Sequence, residues 1–264
     1  MLKNESTKEG ETQRMATNSW QRTMAVARSL RIYHLDRRRA RAMRRLYAGY
    51  VDAGDLVFDV GAHVGDRSAA FHRLGARVIA VEPQPDMARV IRLLLGWRPG
   101  VTLVEAAVGR SEGRLTLQLN RANPTVSTAS DAFVAAAQGA PGWDDQRWDA
   151  RIEVPVTTLD ALIARFGKPA FVKIDVEGFE ADVLAGLSQP VPALSFEFTT
   201  IQRDVAHAAV DRLLALGHWR FDAALGESQE LVFGSPVEAP ALRAWLDQLP
   251  LAANSGDVYA TLQG

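Results

Sequence analysis

Apolar residues in this chain of 264 residues fall into short runs separated by glycine, proline and polar residues. Leu56–Val60 (LVFDV), Arg77–Val81 (RVIAV) and Val101–Val108 (VTLVEAAV) are three such runs, and they predict buried strands. Between them the spacing turns helical, over Ser68–Leu74 closed by Gly75 and over Asp86–Leu95 closed by Gly96. Strands alternating with helices predict an α/β domain, a parallel sheet with helices on both faces.

The middle of the chain changes period. Arg114–Leu119 and Arg151–Val156 alternate apolar and polar residues, the pattern of half-exposed strands. The segment 120–150 between them is rich in small residues, and a connection of that length is a lid, a binding loop or disordered. It is expected to cover an acceptor, with Ser127, Thr128 and Ser130 binding hydroxyls. Trp143 or Trp148 would either stack on a sugar face or seal the loop to the core. Helix Thr158–Phe166, strand Ala193–Phe198 and helix Gln202–Leu216 follow. His218–Phe221 and Glu230–Phe233 read as paired strands, and helix Ala239–Leu249 and strand Asp257–Leu262 close the pattern. At the start, residues 1–18 are polar and aperiodic, the composition of a disordered tail. Residues 19–50 predict a helical extension, and 51–264 a single domain without internal repeats.

Composition narrows the chemistry. With no cysteine, disulfides, thiolate metal sites and cysteine nucleophiles are excluded. No apolar run approaches the roughly 18 residues of a membrane span, and the polar start is no secretory signal, so a cytoplasmic location is expected. The net charge of −1 conceals an asymmetry: residues 1–50 hold 12 Lys and Arg against 4 acids, and the remainder 18 against 27. Most of the basic block lies between Arg28 and Arg45. Such an arm can bind nucleic acid, anionic lipid or an acidic partner, or lie as a solvated face against the acidic domain. The last is the expectation, and no nucleic-acid partner is anticipated. Nothing in the pattern specifies an oligomeric state.

Asp59-Val-Gly61-Ala-His63-Val-Gly65 follows the first strand and opens a helix. Glycine permits the sharp turn and the close approach of a ligand, and the helix start offers free N–H groups. Glu82 ends the next strand, where a carboxylate can take both hydroxyls of a ribose. The third glycine of a dinucleotide loop is missing, which favours an adenosine ligand without phosphates, S-adenosylmethionine. Asp59 would complement its positive charge. An NAD-dependent oxidoreductase is the alternative, opposed by that missing glycine and by the lack of a Tyr-x-x-x-Lys pair.

VKIDVEGFEADVLAGL at 172–187 starts as a strand and ends as a helix, with Asp175, Glu177 and Glu180 at the change. Ligands of open α/β sheets bind beyond the carboxyl ends of the strands, which places Asp175 at the rim of a site. A helix starting near Glu177 would put Glu177 and Glu180 on one face, where either can serve merely to complement the helix N-terminus. Lys173 beside Asp175 is costly inside a strand unless compensated. Asp175 is the first choice for a general base or a metal ligand, Glu177 the second, and Glu197, ending the next strand, a third ligand on the same rim. No metal is assigned: three oxygen ligands with waters would suit Mg²⁺ or Ca²⁺, but the same carboxylates serve equally as hydrogen-bond acceptors. His207 and His218 are expected to be structural or exposed.

VFDVGAHVG at 57–65, VEP at 81–83, AAVG at 106–109, TTLDAL at 157–162 and the 172–187 stretch together resemble the FkbM family of S-adenosylmethionine-dependent methyltransferases over about residues 50–262. The resemblance implies the class I, Rossmann-like methyltransferase fold, a mostly parallel seven-stranded sheet with helices on both faces and an antiparallel last strand. It implies O-methylation of a sugar, glycan or secondary-metabolite hydroxyl. By position, Asp59, Gly61 and Gly65 would line the methionine part of the cofactor, with His63 where many relatives carry Asn. Glu82 would hold the ribose and Glu105 and Ala106 the adenine edge. Asp175 and Glu177 would face the transferred methyl and the acceptor.

Overall fold

The structure, a computed structural model, describes residues 36–264, with Arg28 and Arg31 ahead of them. The expected tail at 1–18 and most of the extension before Asp36 lie outside the described residues. Seven strands form the main sheet: β1 (Leu56–Val60), β2 (Arg77–Val81), β3 (Val101–Val104), β7 (Phe171–Ile174), β8 (Ala193–Thr199), β9 (Trp219–Leu225) and β10 (Ser255–Leu262). Their order is β3-β2-β1-β7-β8-β10-β9. Every pairing is parallel except those of β10, which runs antiparallel to both β8 and β9. Strand order reverses between β1 and β7, the place where open α/β sheets bind ligands.

Successive residues of a strand face opposite sides of the sheet. One side carries Phe58, Ile79, Val172 and Leu194 against α5 (Leu159–Phe166), α6 (Glu180–Ala185), α7 (Arg203–Leu216) and α8 (Ala239–Gln248). The other carries Val57, Val78, Phe171 and Tyr259 against α1 (Arg37–Tyr47) and α2 (Asp66–Arg73), with α3 (Pro85–Leu95) beside them over Ala80. Apolar burial on both faces explains why these strands read as unbroken apolar runs rather than alternating ones.

The described part of the basic extension, α1, packs into this core. Met43 and Tyr47 of α1 are buried, and the Tyr47 ring lies 4.4 Å from Phe71 and 5.8 Å from Phe171. Arg39 is drawn inward to Asp66 at 2.6 Å and Glu227 at 2.8 Å. Arg37, Arg38, Arg41 and Arg45 stay exposed on the outer face. Among the described residues no helix is long and apolar enough to cross a membrane.

Two expectations are corrected. The run 101–108 is two strands, not one: the chain leaves the main sheet after Val104, and β4 (Ala107–Val108) joins a second sheet of order β4-β6-β5 with β5 (Gly113–Leu119) and β6 (Ala150–Thr157). The break is hidden in the sequence because apolar residues continue across it. Glu230–Phe233 is not a strand, since β10 occupies the inner edge of β9 and this segment only bridges the outer edge, through Val232 N–H to the Ala223 carbonyl. The segment 120–150 is ordered, with a 3₁₀ turn at Pro124–Val126 and helix α4 (Asp131–Ala137).

Candidate active site

The glycine loop is built by main-chain contacts. Gly61 and Ala62 N–H groups both donate to the Val81 carbonyl, and Gly61, His63 and Gly65 take the left-handed conformation at φ 79°, 48° and 77°. A Cβ on Gly61 would sit 1.8 Å from the Asp175 carbonyl oxygen, so the loop lies directly on the end of β7. Glu82 is fixed by main-chain donors, the His63 N–H and the Gln84 N–H, each 2.8 Å from one carboxylate oxygen. Burial pushes its pKa up to about 8 even so.

The turn after β7 differs from the expected helix start. Glu177 at φ 55° and Gly178 at φ 83° are left-handed, which stops a helix from beginning there, and α6 begins at Glu180. The Glu180 carboxylate takes the Val176 and Gly178 N–H groups, both at 3.2 Å, and burial raises its pKa to about 7. Glu180 therefore holds the turn while Glu177 points elsewhere. A side chain on Gly178 would strike Phe133 of α4, so the covering segment rests on this turn. Thr128 Oγ1 also donates to the Glu177 carbonyl at 2.6 Å.

Lys173 is fully buried and compensated. Its ammonium donates to Asp257 at 2.8 Å and lies 3.4 Å from Asp175. Arg67 in the first turn of α2 lies 3.4 Å from Asp175 on its other flank. Burial alone would raise the Asp175 pKa, but Lys173 and Arg67 outweigh it and hold the group at about 2. Glu177 and Glu197 go the other way, raised first by burial and then by the negative Asp175. One ligand oxygen from each of Asp175, Glu177 and Glu197 lies within 4.8 Å of the others.

Two clefts meet at these acids. The first, about 550 Å³, is lined by Gly61, His63, Glu82, Ala106, Asp175 and Glu177, with an apolar stretch from Val81, Pro83, Ala107, Val108, Leu117 and Phe179. The second, about 860 Å³, shares Gly61, His63, Asp175 and Glu177 and adds Arg67, Trp143, Glu197, Thr199, Glu227, Asn254 and Ser255.

Several sequence expectations fall elsewhere. Asp59 lines neither cleft. It is fully buried beneath the loop, where Ser68 Oγ donates to Oδ2, and burial lifts its pKa to about 6. Gly65 does not reach the clefts either, because it packs under Leu95 of α3. Glu105 is exposed and paired with Arg92, while its neighbour Ala106 lines the first cleft. Thr128 and Ser130 are consumed internally, Ser130 as the cap of α4, and Ser127 lines the first cleft rather than the second. Trp148 seals the cover through its N–H to the Val126 carbonyl and an edge-on contact with Phe133, whereas Trp143 lines the second cleft. His207 and His218 pair with Asp247 and Glu238, away from both clefts. Arg67 was not singled out in the sequence. Its signal was a cation in the first turn of a helix, where the helix field disfavours one.

A model of the methyltransferase FkbM domain matches residues 59–223. The hexuronic acid methyltransferase AglP of Haloferax volcanii is 24% identical over 174 residues, 65% of this chain and 66% of that protein. The ribosomal RNA small subunit methyltransferase A of Anaeromyxobacter dehalogenans is 50% identical over 58 residues, 22% of this chain and 20% of that protein. The chain thus spans under two thirds of either relative. Among solved structures, an O-methyltransferase from Bacillus cereus in complex with SAH is similar at a TM-score of 0.49 and 10% identity, covering 94% of this chain and 91% of that one. A TehB-like SAM-dependent methyltransferase from Corynebacterium glutamicum has a TM-score of 0.46 at 12% identity, covering 98% and 100%.

Proposed function

The chain belongs to the FkbM family of S-adenosylmethionine-dependent methyltransferases, and on that premise we propose that it methylates a hydroxyl oxygen of a sugar or related polyol. The observation that carries this reading is the meeting of the two clefts at Asp175 and Glu177. The first cleft suits the donor. Glu82 has both oxygens oriented by main-chain donors and keeps lone pairs for two ribose hydroxyls. Ala106, Ala107, Val108 and Leu117 offer an apolar slot for a base, and no Lys or Arg among the described residues lines the cleft to receive a pyrophosphate. That lining also disfavours NAD. The donor, when bound, supplies a methyl group on a positively charged sulfonium, an excellent leaving group.

The second cleft suits a polyol. Thr199, Asn254, Ser255 and three carboxyl side chains besides Asp175 can bind hydroxyls, and Trp143 gives a flat wall. Four acids face a single Arg67, which Asp175 and Glu227 already engage. That balance favours a neutral acceptor over the acidic sugar in the name of AglP. Asp175, held ionised, is a fixed anion that complements positive charge and is too weak a base to take a hydroxyl proton. Glu177, whose pKa is raised and which borders both clefts, is the better acceptor of that proton, and Glu197 the next. Much of the rate would come from alignment, where effective molarities of about 10⁵ M are reached.

The test is transfer of isotopically labelled methyl to paired neutral and hexuronate glycosides, read by mass spectrometry. Label is expected on an ether oxygen of the neutral member. Label only on the hexuronate, or on nitrogen of another acceptor class, would overturn this assignment.

A further inference from the structure

Asp175, Glu177 and Glu197 come from two adjacent strand ends, and they crowd three carboxylates where the two clefts join. Their surroundings do not treat them alike. Both neighbouring cations approach Asp175 on Oδ2, Lys173 from within the sheet and Arg67 from α2. The Asp175 carboxylate also shares a side-chain hydrogen bond with the Glu197 carboxyl group. Glu177 is only 7% exposed, yet its carboxylate has no hydrogen-bond or ion-pair partner among the described residues. Glu197 Oε2 is buried without a hydrogen-bond partner. An ionised carboxylate without compensation is expensive to bury, so the group either takes up a proton or pairs with a positive charge.

Proton sharing between Asp175 and Glu197 leaves Glu177 unaccounted for. Glu180, four residues from Val176, shows what the chain does with a buried carboxyl it means to satisfy: it surrounds it with main-chain N–H groups. Glu177 receives no such donors. Its left-handed backbone instead turns it toward Asp175 and Glu197, at a conformation that costs a non-glycine residue about 1 kcal/mol or more. Oxygen-only ligands with room for water on the open side are the donor set of a hard divalent cation, and nothing in the chain supplies sulfur.

We propose that Asp175, Glu177 and Glu197 bind one divalent cation of the Mg²⁺ or Mn²⁺ type, open toward the acceptor cleft. Binding of the ion does not depend on the acceptor. Its role does rest on the reading above: an ion there would hold a hydroxyl oxygen of the acceptor and lower that hydroxyl's pKa. A vicinal diol, able to offer two oxygens to the ion, is the acceptor element this site would select.

The test uses the purified full chain and Mn²⁺ alone, following loss of the free-ion signal by electron paramagnetic resonance. Saturation at one Mn²⁺ per chain is expected, displaced by Mg²⁺. Glu177→Gln and Glu197→Gln should each weaken binding at least tenfold, while Glu153→Gln, on the small sheet, leaves it unchanged. Circular dichroism checks each variant, and the two glutamine variants are read separately so that loss of fold in one leaves the other as the test. A free-ion signal untouched by the wild-type chain at millimolar concentration overturns the proposal, as do variants that titrate like wild type. Titration of S-adenosylmethionine into the same sample separates the two readings. Donor binding without Mn²⁺ binding removes the metal site alone, and Mn²⁺ binding without donor binding removes the methyl-transfer reading alone.

Discussion

The two clefts that share Asp175 are made in different ways. The first cleft, proposed for the donor, is shaped by backbone: a glycine with no room for a Cβ, a carboxylate held by two main-chain N–H groups, and apolar residues at strand ends. The second cleft, proposed for the acceptor, is shaped by side chains drawn from the turn after β7, from β8, α2 and the Glu227 loop, most of them charged, and by Trp143 of the covering segment. A backbone-built site tolerates little change and specifies one ligand. A site lined by side chains on several elements can be revised residue by residue while the backbone-built cleft stays as it is.

Substitutions can break this contrast, beginning with the largest expected effect. Gly61→Ala places a methyl group against the Asp175 carbonyl, at a φ that alanine resists. A loss of about 4 kcal/mol or more is expected, seen as a melting temperature lower by ~10 °C together with loss of donor binding in a thermal-shift assay. Asp175→Asn leaves Lys173 and Arg67 facing a neutral group. It should cost about 3 kcal/mol in chemical denaturation and abolish transfer while donor binding largely persists. Glu177→Gln keeps shape but removes the proposed proton acceptor, so kcat should fall by about 100-fold or more with donor affinity within threefold. A change in donor affinity as large as the change in kcat would merge two clefts that the account keeps apart.

Smaller effects sharpen the same contrast. Folded Glu82 keeps its proton up to about pH 8, whereas an unfolded glutamate releases it near its ordinary value of 4.5. Between those values the folded chain binds more protons than the unfolded one, so stability falls as pH rises through that window. Asp59 and Glu180, raised to about 6 and about 7, act in the same direction. Melting of the ligand-free protein should therefore be higher at pH 5 than at pH 8, and Glu82→Gln should flatten the decline. Smallest of all, Thr128→Val removes the hydroxyl that ties the cover to the Glu177 carbonyl. About 1 kcal/mol of stability is expected to go, with KM for the acceptor raised and donor affinity unchanged.

The same contrast explains what the amino-acid sequence disclosed. The sheet and its crossover helices follow from local period, while the antiparallel β10 was implied by the family resemblance that the motifs at 57–65 and 172–187 carry. Gly61, Glu82, Asp175 and Glu177 were legible because they sit at strand ends or sharp turns, where residue type is dictated by backbone. Asp59 misled because a strand-end acid reads the same whether it faces the cleft or, as here, lies beneath it on Ser68. Glu105 misled because the apolar run to Val108 hid the point at which the chain changes sheets. Arg67, Glu227, Thr199 and Asn254 carry no local mark. They reach the acceptor cleft only through long-range packing, which no short window of residues encodes.

Isothermal titration of S-adenosylmethionine into the wild-type chain, Glu82→Ala and Glu227→Gln addresses the division of labour most directly. The donor should bind the wild type with micromolar affinity, at least tenfold more weakly to Glu82→Ala, and unchanged to Glu227→Gln. Equal affinity in Glu82→Ala, or weakening confined to Glu227→Gln, would contradict the assignment of the donor to the backbone-built cleft.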